Sequence, residues 1–252
     1  MNIGLYDELV RSGYDFIELS GSDIYNMDED EFNNVKSIIA KGTVKCSGFN
    51  AFLKPGVKVV GREVDSAAVE EYVDKVLCRG GALGIETIGF GSPASRMIPS
   101  GFPKDRAVEQ IIEFIEMVCK KAGHYGIRVL LEPLSRIETN FINNIDEALA
   151  VLKHIESENK GLLLDLYHFC LEKEHGERLD IEVGKCLYHV HIAEVTGRTY
   201  LVPSRFNVYA GLIKSLKDIG YNGRISIEAN YRDYKKDSSV SLNILKEIDN
   251  QQ

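Results

Sequence analysis

The 252-residue sequence contains no run of the roughly 18 apolar residues that a membrane-spanning helix requires, which excludes such a span. Its opening stretch, MNIGLYDELVRSG, lacks a basic segment, an apolar core and a small-residue cleavage site, so it does not read as a secretory leader. The five cysteines (Cys46, Cys78, Cys119, Cys170 and Cys186) are odd in number, widely spaced and form no CxxC pair. That argues against a disulfide scaffold or a zinc–thiolate knuckle, and makes a reducing cytoplasm the expected location. A basic surplus is also missing. Thirty Lys and Arg face 38 Asp and Glu, for a net charge of -8. An extended phosphate-binding face is therefore not expected, and neither nucleic acid nor membrane is an expected partner. There is no Gly/Ser/Pro-rich linker, internal repeat or low-complexity tract, so residues 1–252 are read as one domain.

What is present is an alternation. Short β-rich runs, DFIELS (15–20), VKCSGF (44–49), ETIGFG (86–91), RVLLEPL (128–134), GLLLDLYH (161–168), YHVHIAE (188–194) and RISIEANY (224–231), are separated by longer helical patterns. This order indicates βαβ units and a parallel sheet. The clearest helix is DRAVEQIIEFIEMVCKKAGHYG (105–126), with apolar residues at helical spacing; others are read over 28–42, 64–84, 144–158 and 205–223. Gly126, Gly161 and Gly223 each fall shortly before a strand, where a left-handed helix end is expected. The fold class is thus α/β, a (β/α)8-type TIM barrel, but only seven strands can be counted against the eight a closed barrel needs. Ile3, Tyr6, Leu9 and Val10 share a helical face, so the sequence is read as beginning inside the first helix, with the first strand absent or lying upstream. The alternative is a stunted strand at Ile3–Tyr6.

In a parallel barrel the C-terminal strand ends converge on one rim, where active sites sit. The last four strands each deliver an ionisable group there: Glu132, Asp165, His191 and Glu228. Each lies in or just after an apolar run, where an unpaired charge is costly, and a bound divalent cation would remove that cost. Three carboxylates and an imidazole suit Mn2+, Mg2+ or Co2+ better than thiolate-bound zinc. Any one of them alone could equally be a salt-bridge partner. His189 alternates with His191 on the same strand face and could be a packed histidine, while His124, His154 and His175 read as surface residues.

LEPLSRIE, LLLDLYH, HVHIAE and SIEANY resemble the sugar isomerase/epimerase group of the xylose-isomerase-like TIM barrels, in particular the ketose 3-epimerases of the D-tagatose 3-epimerase type. The resemblance implies that Glu132, Asp165, His191 and Glu228 bind one Mn2+-like ion, and that Glu132 and Glu228 are also the catalytic acid/base pair. It implies substrate contacts at Glu138, six residues after the first ligand, and at His168, three after the Asp ligand. The family's loop arginine, six residues after the His ligand, has its counterpart in Arg198, which stands seven residues on.

Such a site performs proton transfer beside a carbonyl through an enediolate. The expected activity is that of a metal-dependent epimerase or isomerase of a ketose or keto-sugar derivative, within carbohydrate metabolism. The loop FGSPASRMIPSGFP (90–103) places Ser92 and Arg96 on the same rim as further candidate substrate contacts, hinting at a substrate larger or more acidic than a free hexulose. The other reading of that loop is a structural one, with its Arg capping a neighbouring helix. Glu18 could add a polar group or form a salt bridge in the barrel wall. The same ligand set also serves dehydratases of the inosose or dehydroshikimate type. An endonuclease IV-like repair enzyme would need more histidines than the six present and a basic surface. A third alternative is a partner-dependent subunit, because an open seam would be covered by a homo-oligomer or another chain.

Overall fold

The computed structural model describes residues 3–251. Seven parallel strands form one sheet in strict chain order: β1 (Phe16–Ser20), β2 (Lys45–Asn50), β3 (Thr87–Phe90), β4 (Arg128–Leu131), β5 (Lys160–Asp165), β6 (Leu187–Ile192) and β7 (Arg224–Ile227). All seven expected strands are there. β1 and β7 end the order, each paired on one side only. Leucines, valines and isoleucines of the central strands are fully buried, as the near-continuous apolar runs require of a sheet covered on both faces.

The helices are α1 (Tyr6–Ser12), α2 (Gly21–Asn26), α3 (Glu29–Lys41), α4 (Ser66–Leu83), α5 (Pro93–Arg96), α6 (Lys104–Gly123), α7 (Ile145–Leu152), α8 (Leu166–Leu171), α9 (Ile181–Cys186), α10 (Phe206–Asp218) and α11 (Tyr234–Gln251). The N-terminal stretch is helical as its spacing suggests, with a 3-10 turn at Ile3–Leu5 leading into α1, and no stunted strand forms at Ile3–Tyr6. Capping fixes several starts. Asp28 and Glu31 form a reciprocal capping box at α3, and Asn144 accepts from the Glu147 amide at α7.

Of the three glycines expected to be left-handed, only Gly126 is, with φ +68°. Gly161 instead lies inside β5, where a Cβ would sit 2.5 Å from the Tyr188 ring and 2.8 Å from Leu130, so close packing keeps it a glycine. Gly223 also has an ordinary φ; the left-handed turn after α10 is made three residues earlier by Gly220 at φ +83°. All five cysteines are free, and among the described residues no helix is long and apolar enough to cross a membrane.

Candidate metal centre

Each of the four expected ligands stands at the C-terminal end of its strand. Glu132 follows β4, Asp165 ends β5, His191 lies near the end of β6 and Glu228 follows β7. One ligand atom from each lies within 4.8 Å of all the others. The sheet explains this convergence: parallel neighbours in register bring their ends to one level, and Asp165 pairs directly with His191 across β5 and β6.

Each side chain is held by a different device. Asp165, almost fully buried, caps α8 by accepting from the Tyr167 amide at 2.8 Å through Oδ1, which leaves Oδ2 toward the cluster. His191 meets Oε2 of Glu18 at 3.0 Å through Nε2, and its Nδ1 faces Glu132 Oε1 at 3.7 Å and Glu228 Oε2 at 3.5 Å. Glu18 also lies 3.3 Å from His189 Nε2, which in turn bonds Ser226 Oγ at 2.9 Å. So His189 is neither a ligand of this cluster nor an idle core residue. It steadies the carboxylate that orients His191, the arrangement by which metal-binding histidines are commonly fixed. Glu132 lies over Gly91, where a Cβ would fall 2.3 Å from Oε2.

The electrostatics describe a site with too much negative charge for its volume. Burial and the Glu228 and Glu132 carboxylates push Asp165 up to about 7. Burial also works to raise Glu228, but the His191 and Arg198 charges outweigh it and hold Glu228 down at about 2. Burial opposes a charge on His191, yet Glu18 and Glu228 drive its pKa well up. Two atoms of this quartet, Glu132 Oε1 and His191 Nδ1, are buried without a hydrogen-bond partner. Buried polar atoms left unpaired are costly, and a cation between these two would remove that cost. The donor set, three carboxylates and one imidazole, fits a hard divalent cation.

Around the quartet lie the expected substrate contacts. His168, on α8, accepts from the Ser135 amide at Nδ1, so its proton sits on Nε2. That Nε2 is buried without a partner, 3.7 Å from Asp165 Oδ2 and 3.8 Å from Glu138 Oε1. Burial and the Arg198 charge lower its pKa to about 3, so it is a neutral donor. Arg198 reaches back with a left-handed backbone (φ +48°), donating to Glu138 at 3.0 Å, to Asp165 at 2.9 Å and to Glu228. The Asn230 amide donates to the Arg198 carbonyl at 2.7 Å, clamping this loop to the end of β7.

Of the two roles read for the 90–103 loop, substrate contact or structural support, its side chains take the structural one, although Arg96 binds main-chain carbonyls of a strand end and a loop and not a helix end. Arg96 is fully buried and donates to the Glu132 carbonyl at 2.8 Å and to the Ile142 carbonyl at 3.3 Å. Ser92 is also buried, and its hydroxyl accepts from the Leu53 amide at 3.0 Å. Both are bound to backbone, because α5 turns the chain inward under the rim. Arg96 thus fixes the main chain of Glu132 and takes no place at the rim surface. Sequence reasoning missed Asn50, whose amide donates to Glu228 Oε1 at 2.8 Å, and left Glu18 undecided.

The model of the xylose isomerase-like TIM barrel family matches residues 6–248, and the chain belongs to that family. Among its relatives, a ketose 3-epimerase of Arthrobacter globiformis is 27% identical over 87% of this chain and 74% of its own. A D-psicose 3-epimerase of Agrobacterium fabrum is 24% identical over 88% of this chain and 77% of its own. The relatives are isomerases and epimerases, so the chain is an enzyme of that class. A crystal structure of D-psicose 3-epimerase in the presence of D-fructose shares the fold, with a TM-score of 0.81 and 21% identity over 98% of this chain and 94% of that one.

Proposed function

We propose that the protein is a divalent-metal-dependent epimerase of a ketose or keto-sugar derivative. The observation that carries this reading is the convergence of Glu132, Asp165, His191 and Glu228, with Glu132 Oε1 and His191 Nδ1 buried and unpartnered. It is supported by relatives named for epimerisation of a ketose and, in Escherichia coli, of 3-dehydro-D-guloside. A bound cation, Mn2+ with Mg2+ or Co2+ as alternatives, would polarise the carbonyl and an adjacent hydroxyl and lower the cost of the developing negative charge.

The protein's own groups divide the remaining work. Glu132 and Glu228 enter the site from β4 and β7; one takes the proton beside the carbonyl and the other returns a proton to the opposite face. Their settings differ: the Glu132 side chain is 10% exposed and that of Glu228 29%. His168 offers its Nε2–H to a substrate hydroxyl, and Glu138 with Arg198 forms the polar wall beside it. Ser92 and Arg96 act behind the site, through the backbone.

The test pairs metal analysis with isotope exchange. Purified protein should hold about one Mn2+ per chain at a site weakened in Glu228→Gln. Incubating the Mn2+ form with ketoses in D2O should place deuterium at the carbon beside the carbonyl, seen by NMR. Absence of any bound divalent ion after Mn2+ addition would sink the proposal. A dehydrated product would assign the same site to lyase chemistry.

A further inference from the structure

Among the four converging groups, Glu228 is the least confined by packing. Its side chain is 29% exposed, against 10% for Glu132, 1% for His191 and none for Asp165. Asp165 is pinned by the helix it caps, His191 by Glu18, and Glu132 by the floor that Gly91 provides. Glu228 is held by side-chain donors alone. Two charged groups, the Arg198 guanidinium and His191 Nδ1, both address Oε2. Among the described residues, the Nδ2 of Asn50 alone donates to Oε1.

We propose that Asn50 is the positioning residue of Glu228, holding Oε1 so that Oε2 is presented to the cation site; this rests on the metal-dependent reading above. Asn50 is the last residue of β2, paired in register with Ser20 of β1, so its backbone is fixed by the sheet. From there its side chain reaches past the β1 edge to the residue that follows β7. A carboxylate tied at one oxygen by a neutral donor loses freedom to rotate, while the group keeps its negative charge and its other oxygen stays available. The amide takes only Oε1, whereas Arg198 donates to Oε2, the oxygen that a bound ion would share.

The test is Mn2+ binding without substrate, by calorimetric titration of wild type, Asn50→Leu and Asn50→Ala, with the thermal midpoint of each chelated protein as the control. Leu keeps the volume and removes the donor; Ala removes both, and stands in should Leu fold poorly. Both variants should bind Mn2+ roughly 10–100-fold more weakly, while their chelated midpoints stay close to wild type. A merely structural role would move the midpoints and spare the affinity, and that result would overturn the inference. Affinities within about twofold of wild type would overturn it as well. If wild type itself bound no Mn2+, the metal reading would fall and this role with it, so the two failures are distinguishable.

Discussion

Glu18 shows how far a single residue can be read from its neighbours in sequence. On β1 it looked equally suited to a rim contact or to a salt bridge in the wall. The fold decides for neither alone: its carboxylate is buried between His189 and His191, and their charges outweigh the penalty of burial and hold its pKa well below the usual range. We expect Glu18→Gln to preserve the shape but release His191 from its orientation, costing about 10–100-fold in Mn2+ affinity. The check is the metal retained after dilution and gel filtration; retention equal to wild type would show that Glu18 only fills the wall. Glu132, Asp165, His191 and Glu228 were legible because each interrupts an apolar run at a strand end. Glu18 and Asn50 were not, because their partners lie 173 and 178 residues away and are chosen by how the sheet curves. Arg96 was legible only as a choice between a substrate contact and a structural cap, because nothing local says that backbone carbonyls from two other segments will surround it.

At the scale of elements, the strands and the longer helices were readable, since a short β-rich apolar run or a sustained helical period leaves a pattern in the sequence. The short pieces α2, α5, α8 and α9 were not, because one or two turns carry too few residues to show a period, and α11 was passed over entirely. Those short helices matter because α5 and α8 place Arg96 and His168. The end of β3 offers a clean experiment. The strand stops at Phe90, and Gly91 leaves room for the Glu132 carboxylate, with a Cβ position only 2.3 Å from Oε2. Gly91→Ala should push the tip of Glu132 out of place. The tip of a side chain can yield, so the stability cost should stay near the low end of the 1–3 kcal/mol typical of overpacking, about 1 kcal/mol. Turnover should fall at least about tenfold, the loss that 1.4 kcal/mol on the barrier produces. Measuring the thermal midpoint beside kcat separates the two effects. Unchanged kcat would mean that the position of Glu132 is not critical.

At the scale of the molecule, the two end strands of the sheet are tied to other strands by side chains. At the floor Arg224, opening β7, grips Glu86 beside β3 with two contacts of 2.8 Å; at the rim Asn50 reaches Glu228, and Glu18 reaches the histidines of β6. The floor pair is largely exposed and contributes at most about 1 kcal/mol. The rim contacts sit among carboxylates that repel one another, and burial together with that repulsion drives Asp165 up to about 7. A divalent cation would turn that repulsion into attraction in the folded state alone, since the unfolded chain scatters the four ligands. Mn2+ at a hundred times its dissociation constant should then add about 2.7 kcal/mol to stability. For a domain of this size that corresponds to a thermal midpoint roughly 5–10 °C higher. EDTA should reverse the gain, and Glu228→Gln should lose most of it at the same Mn2+ concentration. Melting curves with and without Mn2+ would decide the matter. A midpoint indifferent to the metal in wild type would mean that the four side chains converge without forming a cation site, and their mutual repulsion would then have to be relieved by Arg198 and the protons on Asp165 and His191 alone.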